Sequence, residues 1–141
     1  MKRTLIHNAT IVNEGQPTQG SVVIENGRIA EVLTNWKPLS APCEEVIDAT
    51  GCYLLPGIID DHVHFRDPGL THKADILTES SAAAAGGVTS IMDMPNTNPL
   101  TVTLDALNSK FDLLNEKCIV NHSCYFGATN EIGRASCRER V

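Results

Sequence analysis

Pro56-Gly57-Ile58-Ile59-Asp60-Asp61-His62-Val63-His64-Phe65-Arg66-Asp67-Pro68-Gly69 (PGIIDDHVHFRDPG) is the stretch on which the reading of this chain turns. Gly57 to Phe65 reads as an apolar strand that ends in polar residues, and Arg66 to His72 as a loop punctuated by Pro68-Gly69. Asp75 to Ala85 is rich in alanine and predicts a helix that Gly86-Gly87 stops. Val88 to Asp93 predicts a second strand, and Met94 to Thr101, with two prolines, a second loop. Leu104, Leu107, Phe111 and Leu114 recur at helical spacing, so Thr103 to Glu116 predicts an amphipathic helix. Cys118 to Phe126 predicts a third strand. Alternation of strand and helix implies parallel strands with helical crossovers, the start of a doubly wound sheet or a (β/α) barrel. Three strands do not close a barrel of about 250 residues. The fold class expected is therefore α/β, with parallel strands, and the chain reads as cut short.

Upstream, residues 1–55 read as short strands: Thr4 to Ile6, Thr10 to Val12, Ser21 to Ile24, Arg28 to Leu33, Val46 to Ala49 and Cys52 to Leu55. Asn26-Gly27 between two apolar runs predicts a hairpin, because both residues tolerate positive φ. Thr34 to Glu44 is a polar, proline-containing loop. Downstream, Ile132 to Val141 (IGRASCRERV) corresponds residue for residue to a translated short-read sequencing adapter. It is treated as a non-native tail and set apart from fold reasoning. The chain is accordingly expected to be an N-terminal piece of a longer protein.

Without that tail Lys+Arg falls from 11 to 8 and Asp+Glu from 17 to 16, so the net charge moves from −6 to −8. An acidic chain without a Lys/Arg cluster offers no footprint for nucleic acid or an anionic membrane. No apolar run approaches the roughly 18 residues of a membrane helix, and nothing resembles a signal peptide. Cys43, Cys52, Cys118 and Cys124 lack paired metal-ligand spacing, and Cys137 lies in the tail. Free thiols in a reducing cytosol are the simplest reading, so the expected location is cytoplasmic.

His62, His64 and Arg66 lie two apart at the end of a strand, so all three can point to one face while Val63 and Phe65 take the other. Two imidazoles at the end where parallel α/β folds carry their sites suit a divalent metal. Arg66 adds a planar cationic fork suited to a carboxylate. A hydrogen-bonded structural pair of histidines is the competing reading; the strand end and Arg66 favour metal. Asn96 reads equally well as a turn residue beside Pro95 or as a ligand contact. Asp60 is expected to satisfy backbone donors beneath the site, and Asp93 to be structural. His7, His72 and His122 are expected to be surface or satisfied histidines.

PGIIDDHVHFRDPG, followed by AAAAGGVTSIMDMPNTNP (82–99), resembles the amidohydrolase superfamily and, within it, the dihydroorotase family of the larger bacterial multidomain type. The likeness runs over residues 1–131. It implies that residues 56–131 are the first three β/α units of a truncated (β/α)8 barrel, that the strands of 1–55 are the first part of a β-sandwich, and that His62 and His64 are the first two zinc-ligand histidines. It further implies that Arg66 and Asn96 hold a substrate carboxylate. The activity implied is the zinc-dependent, reversible cyclisation of N-carbamoyl-L-aspartate to dihydroorotate in pyrimidine synthesis, with one or two zinc ions per subunit. The other ligands of that family and its catalytic aspartate belong to later strands, so no catalytic acid or base is assigned within this chain. The segment alone is expected to bind zinc weakly, to be inactive and to be poorly soluble. A homodimer is compatible with the resemblance, while association with aspartate transcarbamoylase is neither supported nor opposed. Two alternatives remain: a hydantoinase or allantoinase, against which Arg66 and the Asn96-Thr97 pair argue, and a non-catalytic scaffold, against which His62 and His64 argue.

Overall fold

The computed structural model describes residues 2–34 and 37–129; the adapter-like stretch 132–141 lies outside them. The chain divides into two compact units, Met1–Pro56 and Gly57–Val141.

The first unit is one mixed sheet of five strands: β1 (Arg3–Asn13), β2 (Gln16–Glu25), β3 (Arg28–Thr34), β4 (Glu45–Asp48) and β5 (Tyr53–Leu54). Its order is β3-β2-β1-β4, with β5 also on β1; β1–β2 and β2–β3 run antiparallel, while β4 and β5 run parallel to β1. Asn26 and Gly27 turn the second hairpin with φ of 51° and 74°, as the sequence predicts. The first hairpin uses Glu14-Gly15 with φ of 51° and 73°, a pair less favoured for such turns than Asn-Gly and not anticipated. The two strands expected over Thr4 to Ile6 and Thr10 to Val12 are one strand, irregular between Ile6 and Ala9. Asn8 takes φ 58° there, and its N–H donates to Ser21 Oγ at 3.1 Å. An extra residue absorbed as a bulge keeps both halves in one ladder. Leu5, Ala9, Val22, Val23 and Ala49 are buried. The expectation of a sandwich goes beyond what is seen, because the described residues of this unit form a single sheet.

The second unit alternates β6 (Ile58–Val63), α1 (Ile76–Ala85), β7 (Val88–Asp93), α2 (Leu104–Lys117) and β8 (Asn121–Cys124). The three strands pair in parallel in the order β6-β7-β8. Among the described residues there are two helices for three strands, so the third β/α unit is represented by its strand alone. Asp75 caps α1 by accepting the Thr78 N–H, and Thr103 caps α2 by accepting that of Ala106. Phe65, Ile76, Ile91, Leu114 and Cys124 form the core, with Val63, Leu107 and Phe111 packed against it. The stripe expected on α2 is displaced: Leu104 is 61% exposed, whereas Lys110, three residues after Leu107, is fully buried. No helix among the described residues is long and apolar enough to cross a membrane.

Candidate functional site

The ends of β6 and β7 and the loops after them carry the polar residues singled out above. The strand β6 ends at Val63, so His64 lies just beyond it, and Arg66 takes φ 66°. Strict alternation therefore places His62 and His64 but fails at Arg66, where the chain has left the extended conformation. Val63 and Phe65 do turn to the core, Phe65 being buried.

The His62 and His64 rings lie beside one another, centroids 5.2 Å apart and inclined at 57°. His62 is exposed and His64 half-buried. Asp60 Oδ1 accepts the His62 N–H at 3.2 Å, the backbone role expected of it. His64 Nδ1 lies 2.8 Å from Asn96 Oδ1. As the carbonyl oxygen accepts, Nδ1 carries the proton and Nε2 keeps its lone pair. The side-chain oxygen of Asn96 is thus spent on His64 and not on its own turn. Arg66 is half-buried, and its guanidinium has no hydrogen bond or ion pair among the described residues. Thr97 is buried, its hydroxyl donating to Pro99 O at 2.9 Å and meeting Thr101 Oγ1 at 3.3 Å. It braces the loop.

Two buried acids, Asp93 and Asp67, hold these loops. Asp93 Oδ1 accepts the Phe65 N–H at 2.9 Å, between His64 and Arg66 in sequence. Its Oδ2 lies 2.8 Å from Lys110 Nζ, an ion contact without hydrogen-bond alignment, and Nζ donates to Met94 O at 2.6 Å. Asp93 is therefore structural, as expected; its partner Lys110 was missed. A charged residue in phase with Leu107 and Leu114 was the available signal. Asp67, also buried, pairs with Lys117 Nζ at 2.8 Å, and that hydrogen bond pushes the lysine pKa up. The two loops are stitched together: Asn98 N–H donates to Pro68 O at 3.0 Å, and Gly69, at φ 82°, lies so close to Asn98 that a β-carbon would collide with it. Each loop contains a cis proline, Pro68 and Pro99.

His122 and His7 have polar neighbours of their own, Asn115 Oδ1 at 3.1 Å and Ser21 Oγ at 3.3 Å, and His72 is an exposed turn residue. Cys43, Cys52, Cys118 and Cys124 are free thiols, and burial pushes the Cys124 pKa up. No cluster of three His, Cys, Asp or Glu suited to a metal exists among the described residues. The two neighbouring imidazoles, one with its tautomer set by an amide, fit part of a metal's ligand set and leave the rest to be supplied.

The family profile described as Dihydro-orotase-like matches residues 51–133. The chain is similar to the dihydroorotase of Enterococcus faecalis, 39% identical over 131 residues, which are 92% of this chain and 30% of that protein. The dihydroorotase of Aquifex aeolicus is 43% identical over 101 residues, 70% of this chain and 23% of that protein. Among solved structures, L-hydantoinase from Arthrobacter aurescens matches with TM-score 0.88 at 27% identity, covering 98% of this chain and 30% of its own. Dihydropyrimidinase from Brevibacillus agri matches with TM-score 0.77 at 28% identity, covering 98% and 31%. The chain thus spans under a third of the length of these relatives.

Proposed function

This chain belongs to the dihydroorotase-like family, and on that premise we propose that the whole protein is a zinc-dependent dihydroorotase. It interconverts N-carbamoyl-L-aspartate and dihydroorotate in pyrimidine synthesis: in the opening direction water adds to the ring amide, and the C–N bond breaks to a carboxylate and a ureido nitrogen. The observation that carries this reading is the pairing of His62 and His64 at a strand end, with Arg66 and Asn96 on the two stitched loops beside them.

His62 and His64 would hold the metal, His64 through Nε2. A divalent metal, when bound there, makes water nucleophilic near neutral pH and polarises an amide carbonyl. Arg66, unpaired among the described residues, is suited to a bidentate grip on the substrate's free carboxylate. Asn96 has committed its oxygen to His64 and retains Nδ2 as a donor to the same carboxylate. Fixing that remote group orients the scissile amide. A catalytic zinc usually has three protein ligands, so the described residues alone are expected to bind zinc weakly and not to turn over substrate.

Hydantoinase activity is the second reading, favoured by the TM-score of 0.88 with L-hydantoinase. Hydantoin lacks the carboxylate that Arg66 would grip. Assay of the full-length protein on dihydroorotate, hydantoin and allantoin tests the choice, with preference for dihydroorotate expected. Turnover of hydantoin alone would overturn the proposal. Absence of zinc from the purified protein would favour a non-catalytic scaffold instead.

A further inference from the structure

His64 is gripped from two sides by one short segment. Asp93 Oδ1 accepts the backbone N–H of the next residue, Phe65, at 2.9 Å, and Asn96 Oδ1 meets the His64 ring at Nδ1 at 2.8 Å. The segment between them is itself anchored. Met94 N–H donates to Val63 O at 2.9 Å, Lys110 Nζ donates to Met94 O, and the Thr97 and Thr101 N–H groups both donate to Pro95 O at 3.0 Å. Asn96 therefore projects from a braced loop whose position relative to the His64 backbone is set by two strand-end hydrogen bonds, Phe65 N–H to Asp93 Oδ1 and Met94 N–H to Val63 O. A free imidazole can place its single proton on either nitrogen and can rotate about two side-chain bonds. Here an acceptor fixed opposite Nδ1 selects one tautomer and restrains ring rotation.

We propose that Asn96 is a positioning residue for His64: its Oδ1 holds the Nδ1–H tautomer and aims Nε2 at the metal position, apart from any contact that its Nδ2 makes with substrate. This rests on the metal reading of His62 and His64 given above. It differs from that reading in assigning the amide oxygen a role in metal affinity, so that one side chain serves both the metal and the carboxylate subsite. Substrate selectivity and metal retention are then linked through a single residue.

The experiment separates the two halves of that amide. In Asn96→Asp an acceptor for Nδ1–H remains while the donor toward the substrate is lost; in Asn96→Ala both are lost. Zinc affinity of the full-length protein, measured by competition with a chelating indicator, is expected to fall roughly 10- to 100-fold in Asn96→Ala, the range for removal of a group that orients a metal-ligating histidine. Asn96→Asp is expected to recover most of that loss while KM for dihydroorotate rises in both variants. Nitrogen-15 spectra of histidine-labelled, zinc-free protein supply a readout independent of metal and turnover. His64 is expected as the Nδ1–H tautomer in the parent and in Asn96→Asp, and to lose that preference in Asn96→Ala. Asn96 is exposed, so the variants are expected to fold, and a thermal melt checks this.

Unchanged zinc affinity and tautomer in Asn96→Ala would overturn the positioning role, as would equal losses in the alanine and aspartate variants. If those two signals behave as expected but dihydroorotate is not turned over, the reaction assigned above fails and the positioning of His64 stands. Full turnover with unaltered zinc affinity in Asn96→Ala would do the reverse.

Discussion

Lys110 and Asp93 form an ion pair with no solvent exposure at either side chain, Nζ to Oδ2 2.8 Å, beneath the strand ends that carry His64. Lys110→Met leaves Asp93 buried without its countercharge, and loss of one partner of such a pair is expected to cost about 3–5 kcal/mol. Asn at position 93 keeps an acceptor for the Phe65 N–H, so Asp93→Asn combined with Lys110→Met is expected to recover part of that loss. Chemical denaturation of the full-length protein, of Lys110→Met, of Asp93→Asn and of the double variant checks the coupling; additive losses would show that the pair does not act as a unit.

Arg66→Lys keeps the charge at the proposed carboxylate grip and removes the planar fork. If loss of charge-assisted hydrogen bonds is worth about 1.5–3 kcal/mol, KM for dihydroorotate rises roughly 10- to 100-fold, with a smaller change in kcat and none in zinc content. Steady-state kinetics and metal analysis of the same preparations measure both. An unchanged KM would remove Arg66 from the carboxylate subsite.

Asp75, at the head of α1, has its carboxyl held below the ordinary value of 3.8 by the hydrogen bond from the Thr78 N–H, followed by that from its hydroxyl. A depressed folded-state pKa means stabilisation that is complete above 3.8, declines as pH falls below it, and is gone once pH passes the depressed folded value. Asp75→Asn keeps a capping oxygen without the titration. The stability advantage of the parent over this variant is therefore expected at neutral pH and expected to vanish in acid, as followed by circular dichroism across that range.

Gly69→Ala is expected to lower stability by more than about 1 kcal/mol, because φ of 82° disfavours an L side chain and the new methyl meets Asn98. Since Asn98 belongs to the loop that carries Asn96, KM for dihydroorotate is expected to rise as well. Denaturant melts and initial rates on one preparation test the two effects together.

Much of this was legible in the residues. The residues predict the strand Val88 to Asp93, the Asn26-Gly27 turn between β2 and β3, and the limits of α1 and α2 to within a residue, because caps and glycines act locally. Four features were not. The continuity of β1 through Asn8 depends on Ser21 across the sheet, a partner 13 residues away. The burial of Lys110 depends on a carboxylate from another element, which the apolar periodicity of α2 does not register. The departure of Arg66 from the strand follows from its positive φ, a conformation uncommon for a non-glycine residue that alternation does not anticipate. The juxtaposition of Asn96 with His64 likewise requires two loops to meet, which spacing in sequence does not encode.

The stitch between the two loops, Asn98 N–H to Pro68 O with Gly69 packed beneath Asn98, has a bearing on what such a cleft tolerates. Held together in this way, the loops would give the proposed carboxylate grip of Arg66 and Asn96 a set span, a gauge of length. A ligand whose acidic group is one methylene nearer to or farther from its amide would then find the grip where its short relative left it. A gauge that did not lengthen to follow would keep selectivity of this kind even in variants with altered metal.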